Sequence, residues 1–151
     1  MIESIAEDNM ETKEIYMYKK DFVICLIAAL ILSACSGGGA ASTNIDVTLA
    51  EFTFTPNAFT IPAGQVITIH AVNSGTVVHE FVIMKYGTTV GDDYGPEDEP
   101  NVYWKMQLDP GKEATSTFKA PTDLGNYQVV CGTKGHFAAG MVGKITVVAG
   151  Q

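Results

Sequence analysis

The chain has 151 residues, 46% of them hydrophobic and 17% charged, and carries a formal net charge of −8. That length and hydrophobicity fit one folded domain plus a separate, strongly apolar segment. The acidic balance argues against nucleic acid as a partner, because a phosphate backbone is gripped by clustered Lys and Arg.

The apolar segment comes first. Phe22–Leu32 is an uninterrupted apolar run, preceded by Lys19 and Lys20 and followed by Ser33, Ala34 and Cys35. Charged, apolar and small zones in that order make a secretory signal, and the run is too short to span a bilayer comfortably. Residues 1–16 are acidic, unlike the start of such a signal, whereas a start at Met17 gives Met-Tyr-Lys-Lys. Either translation begins at Met17 or the basic zone is internal. Leu32-Ser33-Ala34-Cys35 resembles the bacterial lipobox, which implies that Cys35 becomes the lipidated first residue of the mature protein and holds it at a membrane surface. A plain signal peptide or an uncleaved anchor is the alternative. The expected organisation is an N-terminal extension and lipoprotein signal over 1–34, the anchor Cys with a flexible Gly/Ser/Ala tether over 35–43, and a folded domain over 44–151.

From Asn44 onward, short stretches rich in Val, Ile, Thr and Phe alternate with Gly, Pro, Asn and Asp, the pattern of an all-β sandwich or barrel. Strands are predicted over Ile45–Ala50, Ala58–Ile61, Gln65–Asn73, Glu80–Lys85, Thr115–Lys119, Gly125–Cys131 and Lys144–Val148, with Tyr103–Leu108 as an eighth candidate. Pro62-Ala63-Gly64 and Asp109-Pro110-Gly111 read as turns. Gly87–Asn101 is long and acidic, a surface insertion acting either as a lid or as a connection. Its Asp92, Asp93, Glu97, Asp98 and Glu99 either steer a basic partner or form a solvated loop. Met84 and Met106 are expected to pack, and Trp104 to pack beside the insertion. In the strand ending at Cys131, a period of two places Tyr127, Val129 and Cys131 on one inward face.

Of three cysteines, Cys25 leaves with the signal and Cys35 takes the lipid, so Cys131 is left unpaired in an oxidising compartment. Metal ligation explains its retention. Cys131, His136 and Met141 follow one another at Cys-x4-His-x4-Met spacing on a glycine-rich loop. Thiolate and thioether are soft donors suited to copper, and two His with one Cys in a trigonal set with a weak axial Met describe a blue-copper electron-transfer site. Zinc favours no Met, and hard cations favour carboxylates. The second imidazole should come from a distant strand. His79, where a strand begins in Thr76–Ile83, is the better candidate; His70, mid-strand on the face of Thr68 and Val72, is the rival with a surface role.

His79-Glu80-Phe81, Leu108-Asp109-Pro110-Gly111-Lys112, Gly125–Cys131, Gly135-His136 and Gly140–Val147 together resemble the cupredoxins, the plastocyanin, azurin and rusticyanin superfamily. The resemblance runs from about Asn44 to Ala149, and its ligand-loop spacing is similar to the rusticyanin and sulfocyanin branches. It implies a Greek-key β-sandwich of about seven or eight strands with one copper ion, cycling between Cu2+ and Cu+, at one end. His79, Cys131 and His136 would form the trigonal plane and Met141 the axial donor. His136 would be the more exposed ligand, ringed by Phe137, Ala138 and Ala139. Backbone N–H groups near Glu80 and Thr133 match family positions that hydrogen-bond the sulfur, and Val78 matches a residue whose carbonyl lies on the far axial side in some members. Two residues depart from the family pattern. Glu80 stands where many relatives have Asn or Ser, and either tunes the copper or plays a structural part; Lys134 stands where many have Pro, and either pairs with Glu80 or serves partner recognition.

The implied role is an exported, lipid-anchored carrier of single electrons, a monomer on the periplasmic or extracellular face. Its partners would be redox proteins such as cytochromes or membrane electron-transfer complexes. The alternative is copper binding for resistance, storage or delivery. An enzyme such as a nitrite reductase requires a further histidine-built copper, and the chain has three His in all. A binuclear copper site requires two cysteines in the ligand loop.

Overall fold

The computed structural model describes residues 40–150. The signal, the lipobox and Cys35 lie outside the described residues. Nine strands follow: β1 (Asn44–Ala50), β2 (Thr53–Thr55), β3 (Ala58–Pro62), β4 (Val66–Asn73), β5 (His79–Met84), β6 (Val102–Leu108), β7 (Glu113–Lys119), β8 (Gly125–Val130) and β9 (Val142–Val148), with one 3-10 turn at Glu99–Asn101. They form two sheets, ordered β2-β1-β4-β7 and β3-β9-β8-β5-β6. β1 runs parallel to β4 and β3 parallel to β9, while the other pairs are antiparallel. The architecture is the all-β Greek-key sandwich, with nine strands where seven or eight were expected. β6, the eighth candidate, is a full partner of β5. β2 is the ninth, and its three residues are too few to show a period.

Alternation makes the core. β4 buries Ile67, Ile69, Ala71 and Asn73 and leaves Thr68, His70 and Val72 on the outer face, as a half-buried strand should. Phe81 of β5 is fully buried between the sheets, edge-on to Phe54 at 5.2 Å and to Phe59 at 6.0 Å between ring centroids. Trp104 stacks on Phe118 of β7 at 4.9 Å and packs against this main core. That corrects its expected place beside the insertion: β6 alternates, and position 104 falls on the sandwich side.

β5 breaks the alternation, with Phe81, Val82, Ile83 and Met84 all buried. The reason is a second cluster on the outer face of its sheet, where Val90 and Tyr94 of the insertion cover Val82, Met84 and Val130. The insertion is therefore a packed cover. The Tyr94 hydroxyl donates to Glu99 Oε1 at 2.9 Å, Lys105 Nζ reaches the same oxygen at 2.6 Å, and Val90 N–H donates to Gln128 Oε1 at 2.8 Å. Burial, with Glu99 alongside, raises the Tyr94 phenol well above its usual range. Asp98 is itself buried and accepts the Gly95 N–H, so part of the acidic cluster is structural.

Candidate metal centre

β5 and β8 are antiparallel neighbours with Val82 opposite Val130, so the first residue of β5 and the residue after β8 meet at one end of the sandwich. Those residues are His79 and Cys131. The chain then coils tightly back. His136 N–H donates to Thr133 O, Ala139 N–H to Gly135 O, Met141 N–H to His136 O, and Cys131 N–H to Met141 O at 3.1 Å, which closes the loop on itself. Gly135 adopts φ +80°, a left-handed conformation that disfavours a side chain, and its N–H donates to Asp93 Oδ2 of the insertion at 2.9 Å. The loop is thus held at both ends and in the middle.

This framework brings three donor atoms together. Cys131 Sγ lies 3.4 Å from His136 Nδ1 and 3.7 Å from His79 Nδ1, and the two Nδ1 atoms are 3.1 Å apart. A triangle with those sides has its centre roughly 2 Å from each corner, close to a metal–imidazole bond of about 2.0–2.1 Å and slightly short of a metal–thiolate bond of about 2.3 Å. Cys131 and His79 are fully buried and His136 is 8% exposed. Burial, reinforced by His136, lowers the His79 pKa against the pull of Glu51 and keeps the ring in the neutral form that ligates. Met141, fully buried, ends the same loop with its carbonyl on Cys131 N–H. Soft and imidazole donors converging in a dry site fit one copper ion.

Residues beyond the donors fix them. Glu80 N–H donates to Cys131 Sγ at 3.5 Å, as the family pattern implied. Thr133 acts differently, since its hydroxyl donates to Val78 O at 2.9 Å and ties the two ligand segments together. The Glu80 carboxylate rests against Gly132, beside Val82, on the insertion's side of the sheet. That placement favours its structural reading, and no ion pair joins it to Lys134 among the described residues. His70 lies on the outer face of the other sheet, near Asp46 at 3.5 Å and Glu113 at 3.8 Å, remote from the donor cluster.

Two contributors escaped the sequence reading. Asn73, fully buried, donates through Nδ2 to Val77 O and Leu108 O and accepts Gly75 N–H, which shapes the segment leading to His79. Asn73→Ala removes the side-chain partner of three backbone groups. It should cost about 2–3 kcal/mol in chemical denaturation and speed the extraction of copper by a chelator. The other is the β1–β2 turn. Phe52, 43% exposed, sets its ring edge-on to His136 at 5.0 Å between centroids, while Phe137 turns partly into the cluster beneath the insertion. The apolar surface around His136 therefore includes Phe52, with Ala138 and Ala139 exposed as expected. Backbone N–H donors, Thr76 first, lower the neighbouring Glu51 carboxyl to about 2.

The model of the cupredoxin-like domain matches residues 22–147. The chain belongs to the cupredoxin-like family. This cupredoxin is 29% identical to auracyanin-A of Chloroflexus aurantiacus over an alignment of 147 positions, gaps included, and the match covers 79% of this chain and 90% of the relative. It is 30% identical over 100 residues to the copper-resistant cuproprotein CopI of Rubrivivax gelatinosus, covering 62% of this chain and 59% of that one. Among solved structures, dithionite-reduced auracyanin from Roseiflexus castenholzii matches with a TM-score of 0.61 and 33% identity, over 72% of this chain and 99% of that one. Reduced rusticyanin shares the fold, with a TM-score of 0.53 at 22% identity over 82% and 95% of the two chains.

Proposed function

We propose that this cupredoxin carries single electrons, with His79 Nδ1, Cys131 Sγ and His136 Nδ1 as the trigonal copper ligands and Met141 as the axial donor. The carrying observation is the buried donor triangle, with its centre roughly 2 Å from each atom. When bound, copper supplies the one-electron couple. The protein's part is to hold the donors unchanged in both oxidation states, through the Asn73, Thr133 and Asp93 ties and the closed 131–141 loop. Low solvent access at His136 and the apolar surface around it suit transfer to a docked partner through the imidazole edge. The auracyanin relatives support this reading, and a single donor cluster among the described residues gives no support to an enzyme. Export as a lipoprotein anchored through Cys35, placing the domain on the periplasmic or extracellular side near membrane-associated redox partners, belongs to the same proposal.

Adding Cu(II) to the domain from Asn44 onward should give an intense visible thiolate-to-copper band that Cys131→Ser abolishes. A band that survives Cys131→Ser, or never forms, would overturn the assignment. The likeness to CopI favours a second reading, copper handling. Fast electron self-exchange with slow copper release supports carriage; ready copper transfer to a chelator with slow self-exchange supports handling.

A further inference from the structure

The β1–β2 turn reaches both imidazoles: Phe52 touches His136, and Glu51 approaches His79 from the side away from the donor triangle. Glu51 Oε1 accepts from Thr76 N–H at 2.6 Å, the Thr76 hydroxyl at 3.0 Å and Val77 N–H at 3.2 Å, which fixes the carboxylate. The same oxygen lies 3.9 Å from His79 Nε2. That nitrogen is buried and has no hydrogen-bond partner. A metal on Nδ1 leaves the ring proton on Nε2, and a buried N–H bond needs a negative or accepting neighbour. The space between the two groups is kept open by Gly75, where a Cβ would stand 2.8 Å from His79 Nε2 and 2.7 and 2.8 Å from the Glu51 oxygens.

We propose that Glu51 is the positioning residue behind His79, its carboxylate facing the Nε2–H and favouring the cupric over the cuprous state. This rests on the reading that His79 binds copper through Nδ1. At 3.9 Å the contact is electrostatic rather than a hydrogen bond. A fixed negative charge there makes the imidazole a stronger donor, as outer carboxylates do for metal-bound histidines, and a more positive metal gains more from it.

Glu51→Gln separates this role from the loop-holding one, because the amide oxygen still accepts from Thr76 and Val77 while the charge is gone. In the copper-loaded variant the visible band should persist. The ratio of Cu(II) to Cu(I) affinity should fall by about tenfold or more, with a matching rise in reduction potential that survives about 1 M salt, because His79 is fully buried and a buried contact is little screened. In the Cu(I) form, 15N NMR should show a protected His79 Nε2–H in the parent protein and faster exchange in Glu51→Ala. An unchanged potential beside an intact band, or a shift that vanishes in high salt, would overturn the role of Glu51 while leaving the copper assignment standing. Absence of the band in the parent protein would overturn the copper reading and this inference with it.

Discussion

Replacing His79 with alanine is expected to lower Cu(II) affinity by more than about 100-fold and to replace the intense visible band with a weaker, shifted one. His70→Ala should leave both unchanged. The contrast follows from placement. His79 Nδ1 is one corner of the donor triangle, 3.1 Å from His136 Nδ1, whereas His70 sits on the outer face of the opposite sheet between Asp46 and Glu113. Losing an outer partner of a metal ligand typically costs 10–100-fold in affinity, and losing the ligand itself should exceed that range. Equilibrium titration with Cu(II) beside absorption spectra checks both variants at once. Equal losses in the two would overturn the choice of His79 over His70 as the second imidazole.

The second large effect is on stability. Phe81→Ala should destabilise the domain by about 3–5 kcal/mol and lower its melting temperature by roughly 15 °C or more, measured without copper so that ligand binding does not mask the loss. Phe81 is fully buried and joins the rings of Phe54 and Phe59, which come from β2 and β3. It also follows His79 by two residues, so the cavity should loosen the start of β5 and accelerate copper loss. Phe81→Leu, which refills much of the space, should recover most of the stability.

The legible parts of the molecule were those written in local pattern. Period-two alternation gave most strands, and donor chemistry with fixed spacing gave Cys131, His136 and Met141 as candidates, since all three lie on one short loop. Placing His79 needed the register of β5 against β8, which no local pattern contains; its position at the start of a strand and the family resemblance together pointed to it. The short β2 and the Glu51-Phe52 turn carried no readable period, yet the turn touches both imidazoles. Glu80 stands next to a ligand in sequence. Strand geometry sends its side chain to the opposite face, against Gly132, and the carboxylate facing a ligand comes from Glu51, 28 positions from His79 along the chain.

The Asp93 contact with Gly135 and the partial burial of Phe137 beneath the insertion bear on how this site can be inherited or transplanted. A graft of residues 131–141 into another sandwich would bring three donors but strand a backbone N–H and an aromatic ring that the insertion now accommodates. The loop and the segment from Gly87 to Asn101 therefore form one unit of exchange, and changes in either are constrained by the other.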